Sequence, residues 1–323
     1  MTLFNKALGL LSRALVVTAL TTQVALAQGY PNKPVRVIVA YPAGQSTDIA
    51  TRYLVNKLSI ALGQNFVVDN RPGAFGNIGT ALAARAQPDG YTLVMGASGT
   101  HGINPGLYEN PGYDADKDFD PIILTAIIPM VVSVHPSLNV NTLPELVALA
   151  KSRPDKIDVA VPSVTAQLVL EMFKQRDVPL FGVKYKGSAD AMTAVLGGQV
   201  PVLIDTVVAS RAQLGKIKAL AVTSPKEMSA LPNVRSAVEQ GMTGFSVTAW
   251  NALMAPRGTP PEVQERLATE MRKILALPET IKAMHDLGFE AAPQMTQPEL
   301  VEWARGERRK YAEIIKTARM KPE

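Results

Sequence analysis

The chain has 323 residues, of which 47% are hydrophobic, and its 33 basic and 28 acidic residues give a formal charge of +5. Such a small excess, without a long basic run, argues against a nucleic-acid-binding surface and leaves only a weak preference for anionic ligands. The chain contains no cysteine, which excludes disulfides.

Residues 1–27 have the features of a secretory signal peptide. Lys6 and Arg13 form a basic start, residues 14–25 are largely apolar, and Ala25-Leu26-Ala27 supplies a small-x-small cleavage site. The apolar stretch is shorter than the roughly 20 residues that span a bilayer, which disfavours the alternative of a retained anchor. We therefore predict a mature chain beginning near Gln28, with its formal charge reduced from +5 to +3 by the loss of Lys6 and Arg13.

The absence of cysteine also bears on where in the cell the protein is expected. Acylation at a signal cleavage site requires a cysteine there, and the chain has none. We therefore expect a soluble protein of a Gram-negative periplasm rather than a lipoprotein.

Short β-rich apolar runs alternate with amphipathic stretches, which is typical of an α/β protein with mainly parallel sheets. In chain order, strands are predicted at residues 35–40, 66–68, 91–95, 131–134, 157–161, 183–185, 200–204, 219–222 and 246–254. Helices are predicted at residues 48–62, 77–86, 143–150, 165–174, 189–196 and 207–214, and two C-terminal helices begin at Pro261 and Pro298. Proline is favourable in a first helical turn, where its missing N–H has no helical partner.

The mature length exceeds what one hydrophobic core usually holds, so two lobes are expected. No linker rich in Pro, Gly or Ser separates them, which indicates that the chain crosses between lobes through strand-like segments at residues 123–130 and 248–254. We predict one lobe from residues 28–128 and 253–323 and a second from residues 129–252. Paired crossings of this kind permit hinged closure around a ligand.

Two loops at the carboxyl ends of predicted strands are the candidate binding site, because ligands of open α/β sheets bind there. The first contains Tyr41, Pro42, Ala43, Gly44, Gln45, Ser46, Thr47 and Asp48, and the second contains Ser98, Gly99, Thr100 and His101. Both lead into predicted helices, whose unpaired N–H groups and dipole favour an anion. The pattern predicts a carboxylate site that needs no arginine; ordinary strand–helix turns with capping residues are the alternative.

Seven motifs together resemble one family. They are residues 30–36 (YPNKPVR), 42–48 (PAGQSTD), 68–74 (VDNRPGA), 88–93 (PDGYTL), 98–101 (SGTH), 185–188 (YKGS) and 196–200 (LGGQV). In this order they resemble the Bug family (Bordetella uptake gene products), the substrate-binding components of tripartite tricarboxylate transporters. The resemblance extends from Tyr30 to about Ala318.

The resemblance implies a type II periplasmic-binding-protein fold, with two lobes and a ligand cleft between them. It implies that the first-lobe loops hold a ligand carboxylate, and that the partners are a large and a small integral-membrane subunit. A monomeric receptor is expected. The alternative is a sensor that presents its closed form to a membrane signalling partner. A transporter subunit and a signalling protein would both recognise the same ligand-bound closed state.

The sequence departs from the family pattern in the second lobe. Residues 161–168 (VPSVTAQL) are shorter and more apolar than the corresponding family loop, and here Thr165 and Gln167 are the candidate contacts. Pro162 lacks an N–H donor and Leu168 replaces a polar side chain. We therefore expect a more apolar half-site, which favours an aromatic or longer aliphatic carboxylate.

Four other residues have two interpretations each. Gln45 either reads a polar group of the ligand or faces solvent. Asp205 either contacts the ligand or caps the helix that follows. Lys186 either attracts anions or is simply exposed, and Trp250 either lines the cleft or packs at the crossing.

Catalysis is not supported by any motif. Residues 96–100 lack the final glycine of a nucleophile elbow, and the spacing of Gly73, Gly76 and Gly79 does not match the dinucleotide fingerprint. The histidines are far apart in sequence and no zinc motif occurs. We therefore predict a binding protein that is not an enzyme and needs no cofactor or metal.

Overall fold

The computed structural model describes residues 29–153, 157–228 and 231–320, so the predicted signal peptide lies outside the described residues. The strands are β1 (Val35–Val39), β2 (Phe66–Asn70), β3 (Thr92–Ala97), β4 (Phe119–Val134), β5 (Asp158–Val161), β6 (Phe181–Lys184), β7 (Val202–Thr206), β8 (Lys218–Val222) and β9 (Thr248–Pro256). The α-helices are α1 (Ser46–Leu62), α2 (Asn77–Ala84), α3 (Asn104–Leu107), α4 (Leu143–Ser152), α5 (Val164–Lys174), α6 (Ser188–Leu196), α7 (Val207–Arg211), α8 (Pro261–Ala276), α9 (Pro278–Leu287) and α10 (Gln297–Thr317).

The strands form two sheets that share β4. The first sheet has the order β2-β1-β3-β9-β4, and the second contains β4, β7, β5 and β6, with β8 also paired to β4. Strands β1, β2 and β3 are parallel, as are β5, β6 and β7, whereas β4 and β9 run antiparallel to their neighbours. The prediction of mainly parallel sheets is therefore right for the outer strands and wrong where β4 and β9 join them.

Strand β4 connects the two sheets directly. Its 16 residues are largely apolar and buried, and its first part pairs with β9 from Phe119 to Pro129. Its last part, from Met130 to Val134, pairs with β7 and β8. The first segment predicted as a crossing, residues 123–130, lies within β4, and the second, residues 248–254, lies within β9. Two register shifts in the β4–β9 pairing, one beginning at Pro121, interrupt the ladder where proline lacks an N–H.

Helices α8 and α9 follow the last strand. The face of α8 that carries Val263, Leu267 and Met271 at a helical spacing is buried. Leu277 then adopts an extended conformation before Pro278, as a residue preceding proline usually does, and a separate helix follows. The two predicted C-terminal helices are therefore present as α8 and α10, but α9 between them was missed, because only Thr280 and Met284 are buried in it.

No helix among the described residues combines the length and apolar character required to cross a membrane.

Candidate functional site

The loop after β1 is held in place by Asp48. Its carboxylate accepts hydrogen bonds from the Gly44 N–H at 2.9 Å and from Arg52 Nε at 3.0 Å. Asn70 donates through Nδ2 to the same carboxylate at 2.8 Å and to the Tyr41 carbonyl at 3.1 Å. Burial opposes ionisation of Asp48, but the bonds from Arg52, Gly44 and Asn70 lower its pKa. Asp48 therefore stays ionised and fixes the loop from behind.

Helix α1 begins directly after this loop with Ser46 and Thr47 buried. Its N-cap residue, Gln45, makes no side-chain capping bond, so no capping side chain occupies the N–H groups of the first turn. Asn251 of β9 donates through Nδ2 to Thr47 Oγ1 at 3.1 Å. Because this hydroxyl accepts from Asn251, its own hydrogen is available to a further acceptor.

The second predicted loop starts a helical segment from Ser98 to Ile103, directly after β3. The Thr100 hydroxyl accepts from the Ala97 N–H at 3.2 Å and lies 2.9 Å from His101 Nδ1. The Thr100 carbonyl accepts from the Tyr113 hydroxyl at 2.5 Å. These bonds fix the loop so that Ser98 and Gly99 are at its front.

Four helix starts meet around one small cavity, here called the inner cavity, of about 30 Å³. They are the starts of α1, of the segment after β3, of α5 and of α7. The inner cavity is lined by Tyr41, Gln45, Ser46, Thr47, Ala97, Ser98, Gly99, Ile128, Met130, Ser163, Val164, Thr165, Thr206, Ala249, Trp250 and Asn251. None of these lining residues is charged, so backbone groups, hydroxyls and amides provide its polar character.

The two sheets' loops touch across the inner cavity. Ser98 Oγ lies 3.3 Å from Thr165 Oγ1, and both side chains are buried. A Cβ atom added to Gly99 would lie 3.0 Å from Val164 Cγ1, and one added to Gly187 would lie 3.3 Å from Pro42 Cγ. The structure is therefore closed at this point, and Gly99 and Gly187 lie where the two sides approach each other.

A larger cavity, here called the outer cavity, adjoins the inner one. It encloses about 650 Å³, a size typical of small-molecule sites. It is lined by Ala40, Tyr41, Pro42, Gln45, Pro72, Gly73, Ala74, Phe75, Gly76, Tyr108, Pro162, Ser163, Lys184, Tyr185 and Lys186. The two cavities share Tyr41, Gln45 and Ser163, so a single ligand can extend from one into the other.

The structure brings together ten of the residues selected from the sequence. Those that line one or both cavities are Tyr41, Pro42, Gln45, Ser46, Thr47, Ser98, Gly99, Thr165, Lys186 and Trp250. It does not bring Ala43, Gly44, Asp48, Thr100, His101, Gln167 or Asp205 to either lining. Ala43 and Gly44 are exposed, whereas Asp48 and Thr100 support the loops as described above.

His101 is fully buried behind the second loop, with its ring 4.7 Å from that of Phe119. Burial, with a smaller contribution from Arg308, lowers the pKa of His101 to about 3. The imidazole is therefore neutral at physiological pH and serves as packing rather than as a cation for the ligand. Leu168 is likewise buried in the core, whereas Pro162 of the same loop lines the outer cavity and Val164 the inner one.

Asp205 lies on β7 rather than at a helix cap, because the cap of α7 is the next residue, Thr206. One carboxylate oxygen of Asp205 accepts from the Thr206 N–H at 2.7 Å. Of the two interpretations of Asp205, helix capping is therefore wrong, and the residue lines neither cavity. Burial raises its pKa to about 6, against the effect of bonds from Ser188 and Thr206.

Both interpretations of Trp250, lining the cleft and packing at the crossing, agree with its position. It lines the inner cavity, but it is fully buried and its ring packs edge-on against Trp303 at 5.3 Å between centroids.

Sequence reasoning missed several lining residues. Asn251 is fully buried, and its position as the one polar residue in the apolar run from Ala249 to Pro256 was a signal present in the sequence. Phe75 and Tyr108 gave no signal, because an aromatic residue next to a turn is common.

A cavity of about 600 Å³ elsewhere lies between α8, α9 and the segment after them. Apolar residues such as Leu275, Ile281 and Phe289 form much of its lining, and the predicted binding loops do not reach it. Within the described residues, no group of three or more His, Asp or Glu side chains is placed to hold a metal ion.

Two sheets joined by β4 and β9, with helix starts from both converging on one cleft, define a solute-binding protein of the periplasmic type. The chain belongs to the tripartite tricarboxylate transporter family receptors, whose family model matches residues 50–320. It is 34% identical over 312 residues to a UPF0065 protein of Bordetella bronchiseptica, covering 95% of this chain and 92% of that protein. It is also 32% identical over 279 residues to the protein BugT of Bordetella pertussis, covering 84% of this chain and 85% of BugT.

Solved structures agree with this assignment. The structure of an R. palustris protein with adipate has a TM-score of 0.88 at 32% identity, and the match covers 91% of this chain and 100% of that protein. The periplasmic binding protein BugD has a TM-score of 0.85 at 34% identity, again covering 91% of this chain and 100% of its own. The predicted resemblance to the Bug family, the fold class and the receptor function are thereby confirmed.

Proposed function

We propose that the inner cavity binds the carboxylate of a small organic acid and that the outer cavity holds the rest of the molecule. The observation that carries this proposal is the convergence of four helix starts on a cavity without a charged lining residue. In this role the chain captures the acid in the periplasm and delivers it to the integral-membrane subunits of a tripartite transporter.

The size of the inner cavity suits a carboxylate. A single water requires roughly 10–15 Å³ of such space, so a cavity of about 30 Å³ accepts two oxygen atoms. Helix N-termini present N–H groups and the positive end of the dipole to an anion. Charge-assisted hydrogen bonds from such donors are stronger than neutral ones, and they offset the cost of removing the carboxylate from water.

Closure of two lobes forms the site. We assign residues 28–128 with 253–323 to one lobe and residues 129–252 to the other, with β4 and β9 connecting them. The hydroxyl contact between Ser98 and Thr165 joins the two lobes across the cavity. A ligand in contact with both sides stabilises the closed form, which the membrane subunits then recognise.

We further propose that the mature protein begins near Gln28, is free in the periplasm and acts as a monomer. The absence of cysteine supports a form without a lipid anchor. The protein releases its acid chemically unchanged, since the serine and threonine hydroxyls that line the inner cavity have no charged or histidine side chain in that lining to act as a general base. A nucleic acid is not a ligand in this proposal.

A thermal-shift screen tests the receptor proposal. Protein purified from the periplasm is unfolded, stripped of ligand and refolded, and then heated with dicarboxylates, aromatic acids, amino acids or neutral sugars. A ligand at 100 times its Kd stabilises the folded state by about 2.7 kcal/mol, which raises the Tm by a few degrees. A shift confined to carboxylates supports the proposal, whereas a shift with neutral compounds alone contradicts it.

A further inference from the structure

Aromatic and proline residues form nearly half of the lining of the outer cavity. Four aromatic residues line it, namely Tyr41, Phe75, Tyr108 and Tyr185, and three prolines complete its walls, namely Pro42, Pro72 and Pro162. Flat apolar walls of this kind favour a flat ligand, because aromatic rings pack face-offset or edge-on with a gain beyond the area that they bury.

Phe75 occupies this wall in an unusual backbone conformation. Its φ and ψ are +49° and +34°, and the preceding Ala74 also has a positive φ of +47°. This left-handed region is unfavourable for bulky side chains, and glycine adopts it without strain. Asn104 holds the strained turn by donating through Nδ2 to the Phe75 carbonyl at 3.1 Å. Strain of this kind is concentrated at ligand clamps.

The ring of Phe75 is only partly buried, so the fold gains less from it than from a core phenylalanine. A glycine at this position would satisfy the backbone at lower cost. The presence of a phenylalanine is therefore better explained by what its ring contacts in the cavity than by the stability of the turn.

The charge of the outer cavity has one sign. Lys184 and Lys186 line it, and no acidic residue does. Lys184 Nζ lies 5.7 Å from the centre of the Phe75 ring, so the cation and the aromatic wall are adjacent. A second negative group on the ligand, placed beyond the ring, would lie in this positive field.

We infer that the outer cavity is a subsite for an aromatic ring that carries a second anionic group, and that Phe75 determines this specificity. The inference rests on the proposed function, which places the first carboxylate in the inner cavity. The preferred ligand is therefore an aromatic dicarboxylate, with its ring against Phe75 and its far carboxylate towards Lys184 and Lys186.

Titration calorimetry on the whole exported protein tests this inference with benzene-1,4-dicarboxylate, benzoate and adipate. The wild type is expected to bind the aromatic dicarboxylate most tightly. Phe75→Gly and Phe75→Ala both remove the ring, but only glycine also relieves the backbone strain. Each is expected to weaken the aromatic acids about tenfold, as loss of a ring–ring contact implies, and adipate by less than about threefold.

Two further variants complete the test: one is a control, and the other examines the second anionic group. Phe181→Ala removes an exposed phenylalanine that lines neither cavity and should leave all three affinities unchanged. Lys186→Met should weaken the aromatic dicarboxylate by about two- to fivefold, the range of an exposed ion pair, and leave benzoate unchanged. The midpoint denaturant concentration for unfolding of Phe75→Gly should equal or exceed that of the wild type. This result would separate a binding effect from a folding defect.

The outcomes separate this inference from the proposed function. If adipate binds and the aromatic acids do not, or if both Phe75 variants keep the aromatic affinity within about twofold, the inference is wrong and the carboxylate receptor stands. If no acid binds the wild type, the proposed function fails and the inference fails with it.

Discussion

Replacing Thr47 with valine tests whether a hydroxyl at the start of α1 donates to the ligand carboxylate. Valine has nearly the same shape, so the change removes one hydroxyl and leaves the packing intact. In the structure that hydroxyl is buried and accepts from Asn251 Nδ2 at 3.1 Å, which leaves its hydrogen for the ligand. Asn251 Nδ2 keeps a second bond, to the Trp250 carbonyl at 3.1 Å.

The magnitude follows from the charge of the acceptor. A hydrogen bond to a charged group contributes about 1.5–3 kcal/mol, so Thr47→Val is expected to raise the Kd for a carboxylate about 10- to 150-fold. The loss of the Asn251 bond should lower the free energy of unfolding by only about 1 kcal/mol. Affinity is therefore expected to fall much further than stability.

The assay is calorimetric titration with adipate, with denaturant unfolding measured in parallel. Thr51→Val is the matched control, since Thr51 lies one turn later on α1, is fully buried and donates to the Thr47 carbonyl at 2.6 Å without lining a cavity. It should cost similar stability and leave the Kd unchanged. A Thr47→Val Kd within about twofold of wild type would refute the assignment of this hydroxyl as a donor.

Three other changes have expected outcomes. Gly99→Ala would place a Cβ 2.7 Å from Tyr41 Oη and 3.0 Å from Val164 Cγ1, and titration should show at least about tenfold weaker binding because the added methyl group crowds the inner cavity and obstructs closure. Gly79→Ala, inside α2, should lower the free energy of unfolding by about 1–3 kcal/mol, because its Cβ would lie 2.5 Å from the Arg71 carbonyl oxygen. Asp205→Asn should stabilise the fold at pH 7.5 by up to about 3 kcal/mol, because ionising a carboxyl with a pKa of about 6 rather than 3.8 costs stability.

The sign of the Asp205 effect fixes its pH dependence. The folded state holds this proton more tightly than the unfolded state, so the penalty is absent below about pH 4 and develops as pH rises through 6. Unfolding curves of both proteins should therefore converge in acid, and a pH-independent difference would contradict this account. An unchanged Kd for Gly99→Ala would contradict the predicted clash in the inner cavity. A higher free energy of unfolding for Gly79→Ala would contradict the predicted clash with the Arg71 carbonyl oxygen.

The sequence was sufficient to predict most of the elements, and residues from both loops that it singled out line the inner cavity. Periodic apolar spacing placed α1, and the position of Ser46–Thr47 and Ser98–Gly99 directly after strands placed them at the sheet edge. These are local signals, and they correspond to interactions within a few residues of each other.

What the sequence did not predict depends on contacts between distant segments. Strand β4 was read as a crossing followed by a separate strand, because its change of partners near Met130 leaves no local mark. His101 lies buried behind the second loop, and Asp205 lies outside both cavities. Both positions result from packing between distant segments, which cannot be inferred from the residue type alone. Phe75 enters the outer cavity through a turn whose positive φ a phenylalanine would not be expected to adopt.

The uncharged inner cavity has a consequence for how such a receptor diverges in evolution. A peptide N–H survives every substitution except one to proline, whereas an arginine that binds a carboxylate is lost by a single change. In the proposed mode of binding, the N–H donors of the inner cavity therefore persist through most side-chain changes, although a hydroxyl donor such as that of Thr47 does not, and changes at Phe75 or Tyr108 alter only the outer cavity. Specificity for new ligands can then evolve by substitution of one outer-cavity residue at a time, and each intermediate protein still binds a carboxylate.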